Sequence, residues 1–164
     1  MRVLVQRVTE ASVETEGAET VSIGSGLLIF VGITGADTNH DIRSMADKVA
    51  NLRIFEDSAG RMNLSALDRN ANNEAPSVLL VSQFTLYADV RKGRRPSFTD
   101  AARPDHAAPM IEAFARRLGD LGLEVAQGVF GAHMMVSLVN DGPVTLWIDS
   151  DDLRRPRDAG GTRL

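Results

Sequence analysis

Hydroxyl and amide side chains cluster at Ser82-Gln83-Phe84-Thr85, directly after the apolar run Val78-Leu79-Leu80-Val81 and shortly before the cations Arg91, Lys92, Arg94 and Arg95. That order predicts a buried strand ending in a polar loop of positive charge, the mouth of a site for an anionic ligand: the strand holds the chemistry still and the loop supplies charge. The plainer reading is a strand end and a solvated turn. Ser82 and Thr85 are candidate nucleophiles for a hydrolase, and each needs a base to activate it. His40, His106 and His133 are scattered along the chain, only His133 sits near a site element, and no nucleophile-elbow sequence is present. This argues against a Ser-His-Asp triad and against a zinc site alike. Asp89 and Asp141 border the candidate loops, although aspartates beside turns usually bond their own backbone. Phe84, Phe98 and Phe130 could form a stacking wall for a base or an aromatic group, or could be core.

Gly142-Pro143 offers chemistry of another kind. Proline fixes φ and donates no hydrogen bond, and an X-Pro peptide can be cis. The pair reads either as a tight Asn-Asp-Gly-Pro turn between strands or as a rigid backbone probe that meets a ligand with carbonyl groups.

These residues need a scaffold, and the chain is long enough for one. It has 164 residues, 43% hydrophobic and 24% charged, which fits one soluble domain over 1–150 followed by a tail at 151–164 expected to be disordered. Without cysteine it has no disulfide, thiolate nucleophile or cysteine zinc site. A net charge of −4 excludes a generally basic nucleic-acid coat and leaves residues 91–95 as the local patch for a polyanion. No run approaches the roughly 20 apolar residues of a membrane span. The start, Met1 to Val8, lacks a signal-peptide core, so a cytoplasmic protein is expected.

Alternation over residues 1–8 predicts a strand with Val3 and Val5 on one side and Val8 a candidate for the same side. A hairpin is expected over 11–15 and 19–23, then a buried strand at 27–33. Helical spacing of Ile42, Met45, Ala46, Val49 and Leu52 predicts a helix capped by Asp37 or Thr38. A short strand follows at 53–56, an exposed loop at 68–77, and a second amphipathic helix over Pro104 to Leu121, regular from near Pro109. Strands at 124–127, 134–139 and 144–148 close the domain, the last two separated by a turn at 140–143. The fold class is thus α/β of the α+β type: a mixed or antiparallel barrel-like sheet with two outer helices. No phosphate-binding glycine fingerprint follows a strand, so no nucleotide cofactor is expected, and no metal.

With both segments in view, the sequence resembles the D-aminoacyl-tRNA deacylase family. The likeness is carried by Val5-Gln6-Arg7-Val8, Asn51-Leu52-Arg53-Ile54-Phe55, Met62-Asn63-Leu64-Ser65, SQFTLYAD at 82–89, RKGRRPSF at 91–98, GVFGAHM at 128–134 and VSLVNDGPVT at 136–145, nearly all of Met1 to Ser150. The loop at 68–77 and the tail are longer than the family's usual ones. The resemblance implies a homodimer that cleaves the ester between a D-amino acid and the terminal ribose of tRNA, and that also removes glycine mischarged on tRNA. It implies a cis Gly142-Pro143 entering the other subunit's active site, where backbone carbonyls exclude an L side chain, with Val144 and Thr145 completing the motif and Phe130 beside it. Ser82, Gln83, Phe84 and Thr85 would form the catalytic floor, with N–H groups near Phe84 and Thr85 on the substrate or its oxyanion and the tRNA 2′-hydroxyl assisting. Contacts of Arg91, Lys92, Arg94 and Arg95 with acceptor-end phosphates are a separate expectation, drawn from charge. Two other readings stand beside this one: an RNA-binding module without turnover, and an esterase that uses Ser82 or Thr85 as nucleophile.

Overall fold

Alternating apolar residues make β1 (Arg2–Thr15) the spine of the molecule, burying Val3, Val5, Ala11 and Val13 while Glu10 and Glu14 face water. The computed structural model describes residues 1–71 and 76–155. After a turn at Gly17, with φ 77°, the chain returns as β2 (Val21–Ile23) and β3 (Gly26–Gly32), both antiparallel to β1. The sheet then changes sense, because the next two strands are reached through helical crossovers. The first crossover carries α1 (Asn39–Ala50), the small ladder of β4 (Phe55–Glu56) with β5 (Met62–Leu64), and α2 (Ala66–Ala71); the second carries α3 (Pro104–Asp120). Hence β6 (Ser77–Ser82) runs parallel to β3, and β7 (Val125–Gln127) parallel to β6. Finally β8 (Met134–Asp149) pairs antiparallel along nearly all of β1 and ends in α4 (Ser150–Arg154).

Strands β3 and β6 are near-continuous apolar runs, as parallel strands covered on both faces should be. One face packs Leu27, Ile29 and Leu80 against Met45 and Val49 of α1 and Phe114 and Leu118 of α3. On the other, Leu28, Leu79 and Val81 meet Val8, Val13, Val136 and Leu138 where the sheet curls toward a barrel. Glycine is required at one crossing: a Cβ on Gly26 would lie 1.9 Å from the Ser77 carbonyl oxygen.

The mixed barrel-like sheet with α1 and α3 outside is the expected architecture, and there are four α-helices among the described residues instead of two. Helix α2 occupies the start of the stretch expected as a loop at 68–77. Ser65 and Asp68 cap it reciprocally, the Ser65 N–H donating to Asp68 Oδ2 at 2.8 Å and the Asp68 N–H to Ser65 Oγ at 3.1 Å; residues 72–75 lie outside the described residues. Helix α4 uses the first residues of the expected tail. Its Arg154 pairs with the buried Asp41 carboxylate, which is held at about 2: burial opposes this, and Arg154 and Thr38 outweigh it. Residues 156–164 lie outside the described residues. Helix α3 begins at Pro104 and runs through Pro109, whose missing backbone donor falls at an exposed position.

Candidate active site

The floor of the site is made by how β6 ends. Gln83 extends the ladder, its N–H donating to the Val31 carbonyl at 2.7 Å, and the chain then folds into a single 3-10 turn, Phe84–Tyr87. Gly32 makes room for it, since a Cβ there would lie 2.9 Å from the Gln83 oxygen and 3.1 Å from Leu86 Cβ. Phe84 and Thr85 open the turn, where N–H groups have no intrahelical acceptor, and no other acceptor among the described residues takes them. Tyr87 anchors the turn from behind, 7% exposed; burial, then the nearby charges of Asp37 and Asp149, push its phenol pKa up. Gln83 Nε2 donates to the Thr85 hydroxyl, and no histidine among the described residues hydrogen-bonds Ser82 or Thr85.

Above this floor opens a cleft of about 580 Å³. Ser82, Gln83 and Phe84 line one side, the Phe98–Ala102 segment and the start of α3 a second, and the loop from Phe130 to Met134 a third. The second wall is stitched to the end of β3 by the Ala102 N–H donating to the Ile33 carbonyl at 2.8 Å and the Thr34 hydroxyl to the Asp100 carbonyl at 2.7 Å. Phe84 and Phe98 meet edge-on, with ring centroids 5.1 Å apart, and Phe130 faces the same space. The structure therefore brings Ser82, Gln83, Phe84 and Phe130 together, with His133 on the same wall as Phe130 and Thr85 exposed just beyond.

Gly142 and Pro143 lie elsewhere. The expected pair of strands with a turn between them is one strand, β8, interrupted by an excursion: Thr145 pairs with Gln6 and Asn140 with Val8, so residues 141–144 stand opposite Arg7 alone. Arg7, 4% exposed, holds the excursion. Its Nη2 donates to the Gly142 carbonyl at 3.4 Å, Nη1 donates to the Ile54 carbonyl, and Nε lies 2.7 Å from Asp141 Oδ2, near enough for an ion pair though outside hydrogen-bond alignment. The Asn140 amide donates to the Arg7 and Val144 carbonyls at 2.8 and 3.0 Å. The Gly142-Pro143 peptide is cis, both residues are exposed, and a Cβ on Gly142 would meet nothing within 4 Å. Val144 turns into the core at 5% exposure, and Thr145 accepts from Gln6 Nε2 at 3.2 Å. None of these four residues lines the cleft of its own chain.

The basic loop is rooted by Asp89 and Ser97, paired through N–H···O bonds of 2.7 and 2.9 Å. Arg91 is committed to Asp89 by two contacts of 2.8 and 2.7 Å, and with its backbone N–H it holds the Asp89 carboxyl at about 2. Lys92, Arg94 and Arg95 are exposed and form no ion pair among the described residues. Arg7 was absent from the sequence-based candidates; its signal is an arginine at the inward position after Val3 and Val5 in an alternating strand, which must find partners if it is buried.

A family model described as D-Tyr-tRNA(Tyr) deacylase matches residues 4–149. A D-aminoacyl-tRNA deacylase of Thermomicrobium roseum is 58% identical over 94% of this chain and 97% of its own. One of Chloroflexus aurantiacus is 56% identical over 98% and 97%. Among solved structures, a c-Myc DNA unwinding element binding protein superposes with a TM-score of 0.81 at 37% identity, covering 91% of this chain and 98% of that one.

Proposed function

The chain belongs to the D-Tyr-tRNA(Tyr) deacylase family, an ester hydrolase acting on D-aminoacyl-tRNA, and from that premise we propose how its site works. The observation that carries the mechanism is the pair of unclaimed N–H groups of Phe84 and Thr85 at the floor of an apolar cleft. An aminoacyl ester is already an activated acyl group, so positioning and oxyanion stabilisation suffice. Water attacks the ester carbon, the carbonyl oxygen takes the negative charge against the two N–H groups, and the bond to the ribose 3′ oxygen breaks, with the neighbouring 2′-hydroxyl of the tRNA assisting proton transfer. Ser82 and Gln83 shape the floor. Thr85 is not read as a nucleophile, since its hydroxyl accepts from Gln83 and no base among the described residues hydrogen-bonds it. Phe84, Phe98 and Phe130 offer faces and edges for the terminal base.

Chiral selection comes from a second copy of the chain. Its exposed Gly142-Pro143 segment enters the cleft, and the backbone carbonyls stand where an L side chain would go, while the α-hydrogen of a D substrate passes. Glycine passes the same filter, having only hydrogens on its α-carbon, so glycine mischarged on tRNA is also a substrate. The homodimer is supported by an outer edge of β8 that pairs with no strand among the described residues, and by exposed Met135, Val139 and Trp147, 60%, 50% and 51% accessible. Lys92, Arg94 and Arg95 meet acceptor-end phosphates, with Arg91 bracing the loop. The protein works where charged tRNA is, in the cytoplasm; no helix among the described residues is long and apolar enough to cross a membrane.

The test is hydrolysis of matched D- and L-aminoacyl-tRNA carrying the same amino acid, against spontaneous ester loss and at two salt concentrations. Release of the D form alone, with an apparent affinity that weakens as salt rises, is the expected result. Equal release of both forms would refute the chiral filter.

A further inference from the structure

We propose that Arg2 is a positioning residue for the reaction: it clasps the rear of the Phe84–Tyr87 turn and so aims the Phe84 and Thr85 N–H groups. This rests on the reading of that pair as the oxyanion site. A one-turn 3-10 helix has almost no internal bonding to fix its orientation, which therefore depends on what holds its two ends. The front is tied by the Gln83 N–H to the Val31 carbonyl, 2.7 Å. At the rear, Arg2 Nη1 donates to the Leu86 carbonyl at 2.9 Å, an oxygen that the end of the turn leaves without an intrahelical donor.

Three further contacts fix the guanidinium itself. Its Nε donates to Asp149 Oδ2 at 2.9 Å, its carbon lies 4.5 Å from the centroid of the Tyr87 ring, and it lies 5.6 Å from that of Trp147. Asp149 is fixed in turn, because its Oδ1 accepts the Asp151 N–H at 3.0 Å as the cap of α4. The planar fork of arginine can serve carbonyl, carboxylate and ring together, which a lysine ammonium cannot. The hydrogen-bond and ring partners of the Arg2 side chain, Leu86, Asp149, Tyr87 and Trp147, are not lining residues of the cleft, so its effect is expected on the catalytic step and not on the fit of substrate.

Nature supplies a reporter for the clasp. The chain has one tyrosine and one tryptophan, and these are the two rings that flank Arg2, so at a fixed oligomeric state intrinsic fluorescence reports this cluster. The experiment compares Arg2→Ala, Arg2→Lys, Phe84→Ala and Phe84→Pro in single-turnover hydrolysis of D-aminoacyl-tRNA, with thermal midpoint and Trp147 emission recorded for each. Arg2→Ala is expected to lower kcat about 10- to 100-fold with KM unchanged and with shifted emission. Arg2→Lys should recover part of kcat. An unchanged kcat in folded Arg2→Ala, beside a Phe84→Pro that is far weaker than Phe84→Ala, would overturn the role of Arg2 and leave the oxyanion reading standing. Equal rates for Phe84→Pro and Phe84→Ala would overturn that reading and this inference with it. A kcat loss in Arg2→Ala that disappears when both proteins are assayed well below their melting temperatures would make Arg2 structural only.

Discussion

Arg2 and Arg7 leave the same strand on opposite faces, and each grips a piece of irregular backbone. Arg2 holds the Leu86 carbonyl of a turn that is sunk against β3, with Gly32 beneath it and the cleft above. Arg7 holds Gly142 at a position where an added Cβ would meet nothing within 4 Å. Their exposures are reversed relative to what they hold: the Arg7 side chain is 5% accessible and grips an exposed excursion, whereas that of Arg2 is 34% accessible and grips the pocket floor. A hollow needs N–H groups held in place but reachable, so its brace sits behind it near the surface. A protrusion has few neighbours at its tip, so its brace must be rooted in the core. Under the proposed mechanism the hollow is a socket and the protrusion its plug, and within one chain the two do not meet.

Removing the donor function of the socket should have the largest effect. Gln83, at φ −144° and ψ 83°, lies outside the α-helical region, so proline is tolerated at position 84, the first of the turn. Phe84→Pro deletes ring and N–H, Phe84→Ala the ring alone, and the proline variant is expected to be slower by a further 10²- to 10³-fold, roughly the value of one oxyanion donor. Comparable kcat values would break the contrast, since the hollow would then act only as a container.

The plug should respond more mildly. Gly142→Ala adds a methyl group with open space around it in its own chain, so the thermal midpoint should not move. If the segment fills a partner's cleft, the methyl group intrudes there, and D-aminoacyl-tRNA turnover should drop about tenfold, the scale of one methyl group in a tight pocket. Unaltered turnover and D/L selectivity would detach the excursion from the chemistry.

The smallest effect expected is in acid. Burial raises the Asp149 pKa, but the Asp151 N–H and Arg2 outweigh it and keep the carboxyl below its ordinary 3.8. A group depressed in the folded state stabilises it above the unfolded value and loses that contribution as pH falls through the folded one. The clasp on the turn should therefore hold down to pH 3.8 and loosen only below it. Trp147 emission followed through an acid titration should show its midpoint below 3.8, and Arg2→Ala should move it upward; a wild-type midpoint above 3.8 would contradict the clasp.

The site floor was legible because the switch from Val78–Val81 to Ser82–Thr85 is local: apolar side chains give way to polar ones where the strand leaves the core. The excursion was not. Asn-Asp-Gly-Pro is turn chemistry, and whether the chain reverses there or bows out and resumes is decided by β1, which pairs on both sides of it. Helix α2 went unread because the asparagines around it favour loops, although Ser65 and Asp68 carry a capping signal. Arg2 and Arg7 were hidden by another limit. Periodicity sorts the residues of a strand by face, but what each face meets is a tertiary fact, fixed by segments around residues 54, 86 and 142.

The paired root of the basic loop has an evolutionary consequence. Asp89 and Ser97 close the loop with two backbone bonds, and past Ser97 the chain is stitched to the end of β3, so the tip at 92–96 is separated from the cleft wall by a fixed root. The tip is a cassette: residues can be exchanged, inserted or deleted there without retuning the pocket. On the proposal that the tip meets tRNA phosphates and the cleft judges chirality, descendants of this chain could drift toward new tRNA populations by rewriting a handful of surface codons, with the proposed chiral filter inherited unchanged.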